Sequence, residues 1–283
     1  SGSNTLTSSG AFTWSGGTLS GAGATTANGG GSITAVATVS LNQRTLNTAG
    51  GTMTWANGTI NVGNGAVWNN SATFDITLIG SNSLSHTLGG ANLTFNNLGT
   101  GVVTKSGVAP LANLGFTFNN SGTVNANNGT LNLLASFTQT GGASLTRLNS
   151  GNLGGGITFN FNGGTLSGIG TITGNVNNTG AIVGPGLTPG TLTITGNYTQ
   201  GAGGSLNIEL GGAGAGQFDV LAISGIATLA GTLNIQPFAA FVPSGSFQVM
   251  TFASRSGNFT TFNNTTANPA LTTVPGATDY ALN

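Results

Sequence analysis

Two ten-residue segments far apart in the chain are nearly alike: Phe12-Thr13-Trp14-Ser15-Gly16-Gly17-Thr18-Leu19-Ser20-Gly21 and Phe159-Asn160-Phe161-Asn162-Gly163-Gly164-Thr165-Leu166-Ser167-Gly168. Each opens with an apolar–polar–apolar alternation, which has the period of a β-strand, and passes through two glycines into a second short alternation. Because glycine adopts positive φ at little cost, the glycine pair predicts a sharp corner between two short strands.

Two shorter motifs repeat this design along the chain. Gly-Thr-hydrophobic begins at Gly17, Gly51, Gly58, Gly129, Gly164, Gly170, Gly190 and Gly231, and hydrophobic-Asn-Asn-Ser/Thr begins at Trp68, Phe118 and Val176. We interpret both as corners where glycine or asparagine turns the chain through positive φ and the next hydrophobic side chain points inward. Their repetition predicts stacked coils about 4.8 Å apart, with asparagines hydrogen-bonded from coil to coil.

These patterns predict an all-β fold, a right-handed parallel β-helix (β-solenoid), with about a dozen coils of roughly 20 residues each. An antiparallel sandwich or barrel of many short strands is the alternative. The scarcity of surface charge and the recurrent corners favour the β-helix. Inward-facing positions are predicted at Trp14, Trp55, Phe74, Phe95, Phe118, Phe161, Leu192 and Ile194.

Ionisable side chains are scarce: Asp, Glu, Lys and Arg make up 3% of the 283 residues, and the net charge is zero. The cations are Arg44, Lys105, Arg147 and Arg255, and the acids are Asp75, Glu209, Asp219 and Asp279. Four scattered cations cannot neutralise a row of phosphates or bind an anionic membrane surface. We therefore expect no nucleic-acid partner and no membrane insertion by this segment.

Two further features concern the compartment and the organisation of the chain. Cysteine is absent, which excludes disulfides and thiolate sites, and the first residues show no signal peptide, as expected of a mature or excised segment. The composition changes near residue 196, after most of the glycine-rich repeats. We predict irregular β-solenoid coils over residues 1–195 and C-terminal coils with a cap over residues 196–283.

The C-terminal stretch contains Asn197-Tyr198-Thr199-Gln200, then Leu206-Asn207-Ile208-Glu209-Leu210, then Asp219-Val220-Leu221-Ala222-Ile223-Ser224-Gly225 and Gly231-Thr232-Leu233. This run resembles the C-terminal part of bacterial autotransporter passenger domains and related large adhesins, over about residues 163–262. The resemblance implies secretion, a parallel β-helix and a stable C-terminal folding cap. The chain departs from that family because only about 20 residues follow Phe262, too few for the membrane-embedded domain of such proteins.

Side chains that could carry chemistry are few and dispersed. Glu209 and Asp219 are the nearest pair of acids in sequence; we predict that Glu209 faces outward from a strand and that Asp219 caps a turn. His86 has no candidate metal partner and is predicted to lie on the surface or in a loop. We therefore expect no enzyme, no catalytic residue, no cofactor and no metal, although enzymes that act on polysaccharides share the predicted fold.

The sequence thus favours a structural or adhesive β-solenoid, secreted to the outside of a bacterial cell, with a neighbouring cell or host surface as partner. End-to-end stacking of copies into a fibre is a second interpretation, because the first forty residues carry no charged side chain to protect the edge of the first coil. Remaining alternatives are an ice-binding solenoid with threonine arrays, a glycan-binding solenoid and a polysaccharide-acting enzyme.

Overall fold

The computed structural model describes residues 2–80 and 82–283. These residues are all-β, with 57% in strands and none in helices, and they form the predicted parallel β-helix. The strands are short and run parallel from coil to coil, which excludes the antiparallel sandwich or barrel.

The first seventeen strands are β1 (Leu6–Ser8), β2 (Phe12–Trp14), β3 (Gly17–Ser20), β4 (Ala24–Ala27), β5 (Gly31–Asn42), β6 (Thr45–Thr48), β7 (Thr52–Gly63), β8 (Val67–Asn70), β9 (Thr73–Ile76), β10 (Asn82–His86), β11 (Thr94–Asn97), β12 (Val102–Lys105), β13 (Leu111–Leu114), β14 (Thr117–Asn120), β15 (Thr123–Ala126), β16 (Thr130–Leu133) and β17 (Ser136–Gln139). The others are β18 (Leu145–Asn149), β19 (Asn152–Gly154), β20 (Thr158–Phe161), β21 (Thr165–Ile172), β22 (Asn175–Asn178), β23 (Ile182–Pro185), β24 (Thr191–Ile194), β25 (Tyr198–Gln200), β26 (Ser205–Leu210), β27 (Val220–Ile223), β28 (Ile226–Leu229), β29 (Thr232–Pro237), β30 (Phe247–Thr251), β31 (Ser254–Gly257), β32 (Thr261–Asn264), β33 (Thr273–Pro275) and β34 (Asp279–Leu282).

The chain divides into two compact units, Ser1–Thr138 with Gly151–Ile157 and Gln139–Ser150 with Thr158–Asn283. This division follows contacts in space. The boundary that we predict at residues 195 and 196 follows a change in composition instead, and it stays a prediction.

In the first unit each coil contributes strands to three parallel columns. Column A contains β1, β4, β6, β8, β11 and β14. Column B contains β2, the first parts of β5 and β7, β9, β12 and β15. Column C contains β3, the later parts of β5 and β7, β10, β13, β16 and β19.

The second unit repeats the three columns. Column A contains β20, β22, β25, β28 and β31; column B contains β18, the first part of β21, β23, β26, β29 and β32; column C contains the end of β21, β24, β27 and β30. The last strand, β34, runs antiparallel to β30 and β33 and so covers the edge of β30. Coil length varies: Phe159 pairs with Val176, and Tyr198 pairs with Ala227.

The core consists of equivalent side chains stacked from coil to coil. In column A of the first unit Trp68, Phe95 and Phe118 occupy one register, with ring centroids 5.5 Å and 4.9 Å apart. All eight positions that the alternation predicts to face inward are buried: Trp14, Trp55, Phe74, Phe95, Phe118, Phe161, Leu192 and Ile194. The inward assignment is therefore confirmed.

Glycine makes the corners as predicted. Seven of the eight glycines of the Gly-Thr-hydrophobic motif have positive φ: Gly17, Gly51, Gly58, Gly129, Gly164, Gly170 and Gly231. At Gly164 a Cβ atom would also lie 2.1 Å from the carbonyl oxygen of Ser144 on the preceding coil. Space and backbone conformation thus both require glycine there.

The asparagines of the second motif do not turn the chain through positive φ, and this part of the interpretation is wrong. Asn70, Asn120 and Asn178 end their strands with normal φ and point into the core. Their side-chain amides serve the corner instead: Asn120 Oδ1 accepts from the N–H of Gly122, and Asn178 Oδ1 accepts from the N–H of Ala181. A buried amide can replace the backbone partners that a corner leaves without a ladder bond.

Asparagine ladders link the coils, as predicted. The inner ladder is fully buried: Thr48 Oγ1 donates to Asn70 Oδ1 at 2.6 Å, Asn70 Nδ2 to Asn97 Oδ1 at 2.9 Å, and Asn97 Nδ2 to Asn120 Oδ1 at 2.8 Å. The outer ladder lies one residue earlier on the same strands and runs through Asn47, Asn69, Asn96 and Asn119 at 2.9–3.0 Å. Its amides donate in the opposite direction along the stack.

The two ladders offer a matched pair of variants. Asn97→Ala removes a buried amide whose partners have no access to water, and we expect it to lower the free energy of unfolding by about 2–3 kcal/mol. Asn96→Ala removes a half-buried amide whose partners reach solvent, and we expect a loss within about 1 kcal/mol. Urea titrations followed by tryptophan fluorescence measure both, since all three tryptophans lie in the first unit. Equal losses would show that burial does not set the strength of the ladder.

Candidate binding groove

Three of the four cationic side chains donate hydrogen bonds to backbone carbonyl oxygens. Arg44 is buried and reaches back to the first coil, where its guanidinium donates to Thr25 Oγ1 and to the carbonyl oxygens of Gly2, Asn4, Ser20 and Ala24. The sequence predicted a poorly protected first coil because no charged residue precedes position 44. Arg44 ties the first coil to a later one, and the opposite edge of β1 has no paired strand in the described residues.

Lys105 and Arg255 have the same kind of partner. The Lys105 ammonium is buried and donates to the carbonyl oxygens of Gly107 and Ala109, the second at 2.9 Å. Burial lowers the pKa of Lys105, and the nearby Asp75 carboxylate opposes that shift. The Arg255 guanidinium donates to the carbonyl oxygens of Gly276 and Gly257.

Arg147 is different, because it makes no hydrogen bond or ion pair within residues 2–80 and 82–283, and its Nε is buried without a partner. It lies on β18 and faces outward from column B of the second unit. The register then stacks outward positions beside it: Ser167 pairs with Arg147, Gly184 with Ser167, Asn234 with Asn207, and Asn263 with Asn234. Asn207 lies next to Gly184, because Leu206 pairs with Val183.

We call this outward surface of β18, β21, β23, β26, β29 and β32 the column B groove. It contains two adjoining cavities that share Asn207 and Gln236. The first, of about 250 Å³, lies between Arg147 and Glu209, and the second, of about 610 Å³, extends along Asn234 and Asn263. At a spacing of about 4.8 Å per strand, the six strands span about 24 Å.

The floor of the first cavity exists because residue 184 is a glycine. A Cβ atom at Gly184 would meet no atom within 4 Å, so the space above it is open. The end of β23 and the loop after it form one wall, through Pro185, Gly186 and Leu187. Gly186 and Gly168 exchange two backbone hydrogen bonds of 2.9 Å and 3.1 Å, which fold this loop back against β21.

Asp219 fixes the same wall from inside and caps a turn, as the sequence predicted. Its Oδ1 accepts from the N–H of Gly190 at 2.8 Å, and its Oδ2 accepts from the N–H of Glu209 at 2.9 Å. The side chain is 1% exposed. Burial raises the pKa of Asp219 to about 7, against the opposing effect of these two hydrogen bonds.

Glu209 faces outward into the groove, as predicted, and accepts a hydrogen bond of 3.1 Å from Nε2 of Gln236 on the next strand. The amides of Asn207, Asn234 and Asn263 form an outer ladder, with bonds of 2.7 Å and 2.9 Å. The groove therefore presents one cation, one accessible carboxylate and a row of amides.

The remaining candidate residues do not join this site. His86 lies at the exposed end of β10, where Nε2 is 3.1 Å from the carbonyl oxygen of Gly89. No three side chains of types that ligate metals come together in the described part of the chain. Those residues also contain no helix of the length and apolarity needed to cross a bilayer.

Sequence reasoning named Glu209 and Asp219 but missed the role of Arg147, Gly184 and Gln236. One signal was available: Leu206-Asn207-Ile208-Glu209 and Leu233-Asn234-Ile235-Gln236 have the same pattern, so stacking them places Asn207 on Asn234 and Glu209 on Gln236. The variable coil length hides the registers of β18, β21 and β23, which place Arg147 and Gly184. No family model matches the chain, and a comparison with curated proteins finds no match.

The raised pKa of Asp219 predicts a pH dependence of stability. A carboxyl whose pKa rises from 3.8 to about 7 on folding binds more protons in the folded state between those pH values. The free energy of unfolding of the second unit should therefore fall as the pH rises from about 4 to about 7, by on the order of 3–4 kcal/mol. Pulse proteolysis in urea at pH 4.5 and 7.5, with fragments assigned by mass spectrometry, measures this.

Asp219→Asn should remove most of that pH dependence, because the amide oxygen still accepts one N–H and carries no ionisable proton. Asp75→Asn, in the first unit, is the matched control and should keep the wild-type behaviour of the second unit. A second unit that is equally stable at both pH values in the wild type would contradict the assignment.

Proposed function

We propose that this chain is a structural and adhesive β-solenoid, secreted to the surface of a bacterial cell, and that it is not an enzyme. The observation that carries the proposal is the stacking of coils by two parallel amide ladders around an apolar core. Each coil contacts only its neighbours, so such a stack holds outward side chains at fixed spacing along a rigid support.

The resemblance to autotransporter passengers supports the same proposal. In the structure, the residues that carry the resemblance stabilise coils. The Tyr198 hydroxyl donates to Gln200 Oε1 at 2.7 Å inside the core, and Gln200 Nε2 donates to the carbonyl oxygens of Ala230 and Thr232 on the next coil. These contacts belong to a scaffold.

The adhesive role is tested with latex beads coated with the purified chain and incubated with bacterial and host-cell surfaces. We expect attachment by the wild type and none by Leu192→Asp, which places a charge in the apolar core of the second unit and unfolds it. Attachment by both proteins alike would be nonspecific. Absence of attachment by the wild type to every surface would refute the adhesive role.

Association of copies into a fibre is a second candidate, and the first coil favours it. In the described residues β1 bonds to β4 on one side only, and Nε1 of Trp14 is buried without a partner. Leu6 on β1 is 54% exposed. An unpaired strand edge beside exposed apolar surface is a template for another chain.

Sedimentation at high concentration tests this second candidate. We expect species larger than the monomer, unaffected by salt because backbone hydrogen bonds and apolar contacts hold them. Lysines at two first-coil positions, Leu6→Lys and Phe12→Lys, should give monomers through the charge that they place on the edge. Leu134→Lys, an equally exposed leucine elsewhere in the first unit, is the control and should still associate. A monomeric wild type would exclude the fibre.

A further inference from the structure

The column B groove has features of a binding site that no structural role explains. Three of the four cations donate to backbone carbonyls, whereas Arg147 lines the first cavity and its buried Nε has no partner among the described residues. Buried donors are nearly always paired in folded proteins, so an unpaired Nε beside an open cavity indicates that a partner comes from outside. The cavity also has a fixed wall, because Asp219 and the Gly168–Gly186 pair hold the loop after β23.

We propose that the column B groove binds an extended, uncharged polysaccharide chain. The proposal rests on the adhesive function above and gives it a ligand class. Three observations favour this ligand, namely the length of the groove, the chemistry of its side chains and the balance of its charges.

Length favours a chain over a small molecule. The two cavities adjoin through Asn207 and Gln236 and together cross six strands. At about 24 Å the groove is long enough for several sugar rings in a row. Repeated amides at the strand spacing then meet repeated hydroxyls of the ligand.

Side-chain chemistry favours hydroxyl groups. Each sugar hydroxyl both donates and accepts a hydrogen bond, and the groove offers both kinds of partner. Arg147 supplies donors at the β18 end, and the Glu209 carboxylate supplies acceptors on β26. The amide ladder directs Nδ2 of Asn263 toward Asn234, and Nδ2 of Asn234 toward Asn207, so the second lone pairs of these amide oxygens are left for a ligand.

Charge favours an uncharged ligand. Arg147 and Glu209 face the same cavity with opposite signs, so a polyanion attracted by one is repelled by the other. The groove should therefore bind a neutral polysaccharide in preference to an acidic one.

The test uses isothermal titration calorimetry with cellohexaose, xylohexaose and mannohexaose as neutral probes and a galacturonate hexamer as the acidic probe. We expect at least one neutral hexasaccharide to bind, with little change between low and high salt. Binding only to the acidic hexamer, or to no hexasaccharide, would overturn the proposal.

Two glycine variants locate the binding. Gly184→Leu fills the first cavity, and its backbone has no positive φ, so we expect normal folding and at least a tenfold loss of affinity. Gly142→Leu is matched, since its Cβ also meets nothing within 4 Å and Gly142 lies in the same unit outside the groove. It should bind like the wild type. Equal affinity of Gly184→Leu and wild type would place binding elsewhere and refute the assignment.

Arg147→Gln supplies a second readout, because it keeps a donor but removes the charge and should weaken binding less than Gly184→Leu does. An affinity unchanged by Arg147→Gln would refute the role given to its unpaired guanidinium.

The proposal for the groove and the proposal of an adhesive function can be refuted independently. Beads that attach while no hexasaccharide binds would refute the groove and keep the adhesive role. Hexasaccharide binding without attachment would keep the groove as a binding site and refute the adhesive role. Shortened saccharides recovered after incubation would confirm the groove as the site of binding when Gly184→Leu abolishes them, and would overturn the non-enzymatic function.

Discussion

Hydrogen bonding between equivalent residues of successive coils is the constraint on which the rest of this structure depends. A parallel register places Asn96 on Asn69 and Phe95 on Trp68, so one residue identity repeated at coil spacing becomes a continuous ladder or stack. Amides suit this arrangement because each has one donor group and one acceptor and can bond to both neighbours. Backbone hydrogen bonds, inner amides and apolar rings therefore all join one coil to the next along the stack.

The same constraint explains why the chain needs so few charges. A side chain on a coil has a like neighbour above and below at about 4.8 Å, and a charged residue repeated at that distance would repel itself. Uncharged Asn and Thr avoid this cost and still bond. Three of the four cations, Arg44, Lys105 and Arg255, are single insertions that donate to carbonyl oxygens at irregular places in the stack.

The sequence predicted burial and corners correctly wherever these depend on a pattern of a few adjacent residues. Alternation placed Phe118 and Phe161 inside, and Gly-Thr-hydrophobic located corners such as Gly129, because both depend on a few adjacent residues. It failed for Asn70 and Asn120, since turn propensity suggested positive φ where burial on a strand end uses the amide differently. It could not place Arg147 beside Gly184, because that neighbourhood depends on how many residues each intervening coil contains.

Because coil length varies, a repetitive stack can also contain a site that occurs only once. A strictly regular solenoid presents the same face at every level. Here loops of different length follow β23 and β26, and Asp219, at the end of the second loop, accepts from Gly190 in the first loop and from Glu209 on β26. Such a loop can form a wall only where a small residue leaves space beside it, as Gly184 does. The regular part of each coil thus fixes the spacing of the amides, and the irregular part decides where along that row a ligand can enter.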